Sequence, residues 1–326
     1  MNRVSIIMYH YVRPIADSDY PGIKGLELDD FVRQLQFLRE QFCVVSMENV
    51  IDSLNGKTQL PENAVLLTFD DGYMDHYQYV FPVLKEYGMQ GSFFVPSGIL
   101  RNGRVLDVNK IHYILACADL MQLLPKISVM LAEYREKGYK IEPDQELYEK
   151  LAVANRWDPG EVIYVKRLLQ TYLDEEVRRD MVNRLFLETV QVSEQDFSGK
   201  LYMNMDQIKE MRAAGMFFGL HGENHEWLNR LPQEKMKQDI DLSLDYFSEV
   251  IDRDYLVINY PYGGYDQKVL DYAGMLGCRL GLTVEAGCAD LDQMRKHPLA
   301  LPRFDTNDFP PKSQRYRDFV SAEQIL

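Results

Sequence analysis

Six short apolar runs, each closed by polar or glycine-containing residues, constrain this chain more than any other feature. They cover residues 4–9, 64–69, 91–95, 216–220, 256–260 and 280–284. Each has the length of a strand buried on both faces and is too short for a core helix. Amphipathic helical patterns lie between most of them. Residues 31–40 put Phe31, Leu35 and Leu38 on one face, 80–87 follow the second run, and 205–214 precede the fourth. Alternating β and α patterns predict a mainly parallel sheet covered by helices, with the chemistry at the carboxyl ends of the strands.

The middle of the chain departs from this pattern. From about 106 to 197 the sequence has helical periodicity, many charges and no strand-like run. Helices are expected over 111–117, 120–137, 146–156 and 162–187, with Pro143-Asp144 and Pro159-Gly160 as breaks. The segment reads as a helical insertion between strands of a single domain spanning 1–326, serving as a lid, a substrate-selecting wall or an oligomer contact. Its position is expected to be near the mouth of the sheet, where loops carry specificity.

With 326 residues, 46% of them hydrophobic, the chain has enough apolar surface for a large core. Its 21 Tyr and 15 Phe suit such a core and also a groove for sugars. A net charge of −14 argues against nucleic acid or an anionic membrane as partner. The apolar run after Met1-Asn2-Arg3 is too short for a signal-peptide core, and no run approaches the ~20 apolar residues of a membrane span. The four cysteines form no CxxC pair, so reduced thiols and a cytoplasmic location are expected.

Three segments carry chemistry. Thr68-Phe69-Asp70-Asp71-Gly72 ends the second run, and adjacent carboxylates repel unless a cation or proton compensates them. The pair reads either as a metal ligand beside a second functional carboxylate or, through Asp71, as a helix cap. His221-Gly222-Glu223-Asn224-His225 follows the fourth run, and histidines four apart meet on one face of a helical turn. They are either surface residues or ligands for zinc, cobalt or nickel, which one carboxylate would complete as a facial triad. Glu223 does not directly follow the first histidine, so this is not the metalloprotease arrangement, and Asp70 is available as a separate base. Asn259-Tyr260-Pro261-Tyr262-Gly263-Gly264 ends the fifth run in a sharp turn suited to presenting a backbone N–H to an oxyanion.

Together these segments resemble the polysaccharide deacetylase family, also called NodB-like deacetylases or carbohydrate esterase family 4. TFDDG matches its first motif, His221-xxx-His225 with Leu228 its second, and Tyr260-Pro261-Tyr262-Gly263 is similar to its third. The likeness covers roughly residues 1–100 and 200–310. It implies a deformed (β/α)7 barrel and metal-dependent removal of N-acyl groups, N-acetyl above all, from amino sugars. Asp70 would be the base; Asp71, His221 and His225 would hold one divalent ion, Zn2+ first and Co2+ or Ni2+ next. The Tyr262 N–H would support the oxyanion.

Two family features are missing. Asn259-Tyr260 stands where the third motif usually has an arginine that orients the catalytic aspartate. Arg303, in Leu301-Pro302-Arg303-Phe304-Asp305, either takes that role or is a surface arginine. The late Leu-x-His motif that supplies the general acid is also absent. His10, at the end of the first run, is preferred for it over His297, although a strand-end histidine with a purely structural role has the same appearance. A subset of the family similar to exopolysaccharide deacetylases has a Tyr-His at this place. The expected partner is a carbohydrate, an N-acylated amino sugar carried on a nucleotide or lipid toward a surface polysaccharide. A metal-retaining, non-catalytic sugar-binding barrel and a nucleotide-sugar glycosyltransferase are the rival readings. The sequence does not specify the oligomeric state.

Overall fold

The architecture, taken from a computed structural model that describes residues 2–321, is built on a parallel sheet in chain order. Strands β1 (Arg3–Tyr9), β2 (Ala64–Asp70), β3 (Ser92–Val95), β4 (Phe217–Leu220), β5 (Val257–Asn259) and β6 (Leu280–Leu282) are consecutive neighbours, every pair parallel. All six apolar runs are strands, with ends shifted by at most two residues. A seventh, β7 (Phe304–Asp305), escaped the sequence reading because it is only two residues long. It pairs in parallel with β1 at Ile7↔Phe304, and Leu301 just before it bridges Leu282 of β6. The segment 301–305 therefore joins both ends of the strand order, and the sheet curls into a deformed (β/α)7 barrel.

Side-chain alternation decides what faces inward. Tyr9, Phe69, Phe93 and Phe218 are register partners across β1–β4. Their rings follow one another at 4.9, 4.9 and 5.5 Å, forming an aromatic row on the outer face. Phe31 of helix α1 (Leu28–Gln41) packs edge-on against Tyr9 at 5.4 Å and Phe69 at 6.1 Å. Residues of opposite parity point into the barrel. Val4, Ile6, Ala64, Leu66, Phe94, Phe217, Val257, Leu280, Leu282 and Leu301 form one buried cluster there, plugged from below by α2 (Met47–Leu54). Continuing the same parity toward the carboxyl ends brings Thr68, Asp70, His221, Asn259 and Arg303 inward. The barrel interior is thus apolar through most of its depth and polar only at its upper rim.

Helices α3 (Phe81–Tyr87), α4 (Ser97–Asn102), α5 (Asp107–Cys117), α6 (Leu120–Glu136), α7 (Asp144–Leu151), α8 (Gly160–Arg167), α9 (Glu175–Val190), α10 (Glu194–Leu201), α11 (Met205–Ala213), α12 (Gln233–Tyr246) and α13 (Gln267–Met275) follow. The contacts define two compact units. One holds the barrel and comprises the chain up to Pro14, Gly25–Arg104, and the chain from Ser198 onward. The other, Ile15–Lys24 with Val105–Phe197, is helical and buries Ile111, Ile127, Leu131, Leu147, Leu169, Met181 and Leu185.

Two helices of the second unit differ from expectation. The helix expected to reach residue 156 stops at Leu151, because Asn155 accepts the Trp157 and Asp158 N–H groups and folds the chain into a turn. The single helix expected over 162–187 is two. A π-turn at Leu168–Tyr172 runs into an extended Leu173, and α9 restarts behind Asp174, Glu175 and Glu176, acidic residues favoured at a helix N-terminus.

Candidate active site

Strand β2 delivers Asp70 inward as its last residue, and the chain then turns sharply. Asp71 and Gly72 both occupy the left-handed region, at φ 72° and 70°. Such a conformation costs a non-glycine residue of order 1 kcal/mol or more and persists only where surroundings fix it. A Cβ at Gly72 would stand 2.6 Å from Val95 Cγ1, so the turn is packed against β3. Asp71 caps no helix. It is 3% exposed and accepts the Tyr73 hydroxyl on Oδ2 at 2.6 Å.

Arg303 lies fully inside the barrel beside Asp70. Its Nη1 and Nη2 donate to the two Asp70 oxygens at 2.9 and 2.8 Å. Nε donates to Thr283 O at 2.8 Å, Nη1 also to Thr68 Oγ1 at 3.1 Å, and Nη2 also to Asn259 Oδ1 at 2.9 Å. These five bonds match the five N–H donors of a guanidinium. Arg303 is therefore not a surface residue. Burial works to raise the Asp70 carboxyl, but the paired guanidinium outweighs it and brings the group down to about 2.

Asp71, His221 and His225 form a second cluster. Their ligand atoms all lie within 4.8 Å of one another, with Asp71 Oδ1 at 3.5 Å from His221 Nε2 and 3.1 Å from His225 Nε2. The His221 Nδ1 sits 2.7 Å from Asn259 O, a carbonyl that only accepts, so the N–H is on Nδ1 and Nε2 keeps its lone pair. Asp71 Oδ1 is buried and has no hydrogen-bond donor. Lone pairs of two imidazoles and a carboxylate converging on one point are repulsive by themselves and fit a cation of the kind that nitrogen and oxygen donors hold. Positive charge on the two rings in the same place would do the work of a cation: against the burial that raises it, charged His225 and His221 hold the Asp71 carboxyl well below the usual carboxylate range. The expectation of a helical turn under the two histidines is wrong. Residues 221–225 are irregular, with Gly222 at φ 70° and His225 at φ 54°.

His10 is at the mouth of the same rim. Its Nε2 is 4.0 Å from Asp70 Oδ2, and its side chain is 43% exposed. Its carbonyl meets Nε2 of the fully buried His76 at 2.9 Å. Burial pushes the His76 imidazole down to about 4, which keeps it neutral at ordinary pH. His297 is elsewhere in the chain's contacts, its N–H closing a turn onto Met294 O at 2.9 Å. Tyr262 takes φ 57° and ψ 10° within Pro261–Gly263. Its ring is edge-on to His225 at 4.5 Å and stacks on Trp227 at 4.9 Å, while Arg230 covers Trp227 at 4.5 Å.

Several residues of the rim were not singled out from sequence: Thr68, Asn259, Tyr73 and His76. Thr68 lies inside the TFDDG motif and was readable as inward-facing from strand parity alone. Asn259 links the clusters, accepting from Arg303 through its side chain and pairing with His221 through its carbonyl. Nothing in the local sequence marks Tyr73 or His76, whose roles arise from packing.

The family model for polysaccharide deacetylase matches residues 57–122 and 169–281, more than half of the chain. YxkH of Bacillus subtilis, a polysaccharide deacetylase by name, is 21% identical over 71% of this chain and 48% of its own length. Poly-beta-1,6-N-acetyl-D-glucosamine N-deacetylase of Escherichia coli K12 is 34% identical over 85 residues, 26% of this chain and 12% of that protein. The chain thus spans about half or less of the curated relatives it matches. Among solved structures, the Streptococcus pyogenes deacetylase PplD in complex with acetate aligns over 97% of this chain and 96% of its own. Its TM-score is 0.58 at 19% identity, a likeness of fold. With the barrel, the strand-end motifs and the matched segments in agreement, the chain belongs to the polysaccharide deacetylase family.

Proposed function

We propose that this protein hydrolyses the N-acyl group, N-acetyl above all, of an amino sugar destined for or contained in a surface polysaccharide. The observation that carries the reading is the juxtaposition at one rim of an arginine-locked carboxylate, Asp70, and a convergent Asp71–His221–His225 set. Asp71, His221 and His225 would hold one divalent cation, zinc before cobalt or nickel. When bound, such a cation supplies Lewis acidity, polarising an amide carbonyl and making a water easier to deprotonate.

The chain's own groups account for the proton movements. Asp70 stays ionised down to about pH 2, so it is ready to accept a proton from the attacking water as the C–O bond forms. Arg303 fixes the carboxylate plane through both oxygens and leaves it no freedom to rotate. The Tyr262 N–H is assigned to the oxyanion of the tetrahedral intermediate. As the C–N bond breaks, His10 donates a proton to the departing amine and regains one from solvent, which its exposure permits. Asp70 then returns its proton to solvent, and the products are the free amine and a carboxylate, with one proton released.

Two comparisons support the substrate class: the E. coli relative is named for poly-N-acetylglucosamine, and PplD holds acetate. The substrate unit is accordingly an N-acetylated hexosamine, in a polymer or linked to a nucleotide or lipid. The scattered cysteines Cys43, Cys117, Cys278 and Cys288, with no CxxC spacing, support a reducing, cytoplasmic compartment. Among the described residues no helix is long and apolar enough to cross a membrane. The test is acetate release by metal-loaded protein from N-acetylglucosamine oligomers, nucleotide-linked N-acetylhexosamines and lipid-linked forms. Release from at least one class is expected. Stoichiometric metal and sugar binding without release from any would refute the hydrolase and leave a sugar-binding barrel.

A further inference from the structure

Helix α12 carries a carboxylate on its buried face. Asp239 is 3% exposed and lies between Met236, Ile240, Ser243 and Leu244, all buried. A carboxylate in such a place is costly unless its lone pairs are taken up. Among the described residues no lysine, arginine or histidine pairs with it. Its partners are N–H groups: Oδ1 accepts from Glu223 N at 2.8 Å, and Oδ2 from Asn224 N at 3.0 Å and Asn224 Nδ2 at 2.9 Å. All three donors belong to the residues separating His221 from His225.

The loop they belong to is gripped from its other side as well. The Ser97 and Gly98 N–H groups of α4 donate to Gly222 O at 3.1 Å and Glu223 O at 2.8 Å. The Glu223 carboxylate, 1% exposed, accepts the Ser97 hydroxyl and pairs with Arg101 at 2.7 Å. The loop's carbonyls thus face α4 and its N–H groups face Asp239. Gly222 is tied to both neighbours, because a Cβ there would stand 2.5 Å from Asp239 Oδ1.

We propose that Asp239 is a positioning residue for the two histidines. By collecting the N–H groups of Glu223 and Asn224 it holds an irregular, left-handed loop in the one shape that turns both Nε2 atoms onto Asp71. In a helical H-x3-H segment the backbone ladder would do this; here that ladder is absent and a buried charge replaces it. The proposal rests on the reading that Asp71, His221 and His225 hold a cation.

Asp239→Asn keeps the size of the side chain and one acceptor oxygen but turns an NH2 group toward N–H donors. Wild type and variant are titrated with Zn2+ against a chromogenic chelator, and their Co2+ forms are compared by visible absorption. Outer partners of metal ligands typically matter by about 10–100-fold in affinity, and a loss on that scale is expected, with a changed Co2+ spectrum. Circular dichroism of the metal-free variant should match wild type. Unchanged affinity and spectrum overturn the proposal. If Asp239→Asn does not fold, Asn224→Ala, which deletes one of the three donors, should weaken Zn2+ by several-fold, ~3–10 on the same scale. A silent Asn224→Ala overturns it too. Failure of wild type itself to bind Zn2+ or Co2+ is a separate outcome, which removes the cation reading and with it the proposal.

Discussion

Replacing Arg303 by methionine tests the electrostatic logic of the barrel rim most directly. The guanidinium is fully buried and makes five hydrogen bonds, two of them to Asp70. Without it, Asp70, 2% exposed in the wild type, has no cation in hydrogen-bond contact, and Thr68 Oγ1 and Asn259 Oδ1 each lose a donor. Breaking one side of a buried pair typically costs about 3–5 kcal/mol. The carboxyl gives a consistent scale: a fall from 3.8 to about 2 corresponds to about 2 kcal/mol of net stabilisation of its charged form. The sign of the pH dependence is the sharper readout. In wild type a depressed carboxyl contributes stability that is complete above its unfolded value of 3.8 and fades as pH falls toward about 2. In Arg303→Met burial acts unopposed by the guanidinium, the folded carboxyl is raised, and stability increases as pH drops from ~7 toward ~4. Urea unfolding of both proteins across that range, compared as a difference, cancels the contribution of the histidines. The double variant Asp70→Asn/Arg303→Met should recover much of the loss, since no bare charge remains. Turnover should be abolished in the single variant. Parallel pH profiles, or a double variant no more stable than the single one, would refute the reasoning.

Asp70→Asn should eliminate turnover with metal content near wild type, whereas Asp71→Asn and the His221→Ala/His225→Ala pair should lose metal, measured by elemental analysis. Equal metal loss in the two aspartate variants would make Asp70 a ligand and contradict the assignment. His10→Ala should slow acyl release by ~10²-fold with metal retained, the scale of a positioned acid, and His297→Ala should leave the rate unchanged. The reverse ranking would move the acid to His297. Tyr73→Phe removes the hydroxyl that orients Asp71 and should weaken Zn2+ binding about 10-fold without loss of fold, checked by chelator competition. Wild-type affinity would show that Asp71 is held by its backbone alone.

The barrel strands were legible because strands buried on both faces read as continuous apolar runs, and six of seven were long enough to register. β7 was not, since two residues carry no periodicity. The rim motifs were visible as residue types at strand ends, but their geometry was not. His221 and His225 looked helical because a spacing of four is a helical spacing, while the actual loop depends on Asp239, 14 residues beyond His225 and indistinguishable in sequence from an ordinary polar helix position. Arg303 had no local signature either. What makes it buried is a carboxylate 233 positions earlier. Long-range electrostatics and left-handed backbone at Asp71, His225 and Tyr262 are properties of the assembled rim, absent from any window of sequence.

The closure of the barrel by residues 301–305 also bears on how the molecule folds. While the sheet is open, Asp70 is hydrated and ionised at no cost. A sheet closed without Arg303 would enclose a bare carboxylate. The element that shuts the barrel, by bridging β6 and β1, is the same one that carries the guanidinium, so sealing and charge neutralisation are one event. A closed barrel with an unpaired Asp70 would carry the cost of a bare buried charge, so closure and pairing are coupled energetically. The two groups are 233 positions apart in sequence, so the pair is a property of the closed barrel and of no local segment. The functional rim and the closure of the barrel thus depend on the same few residues, 301–305.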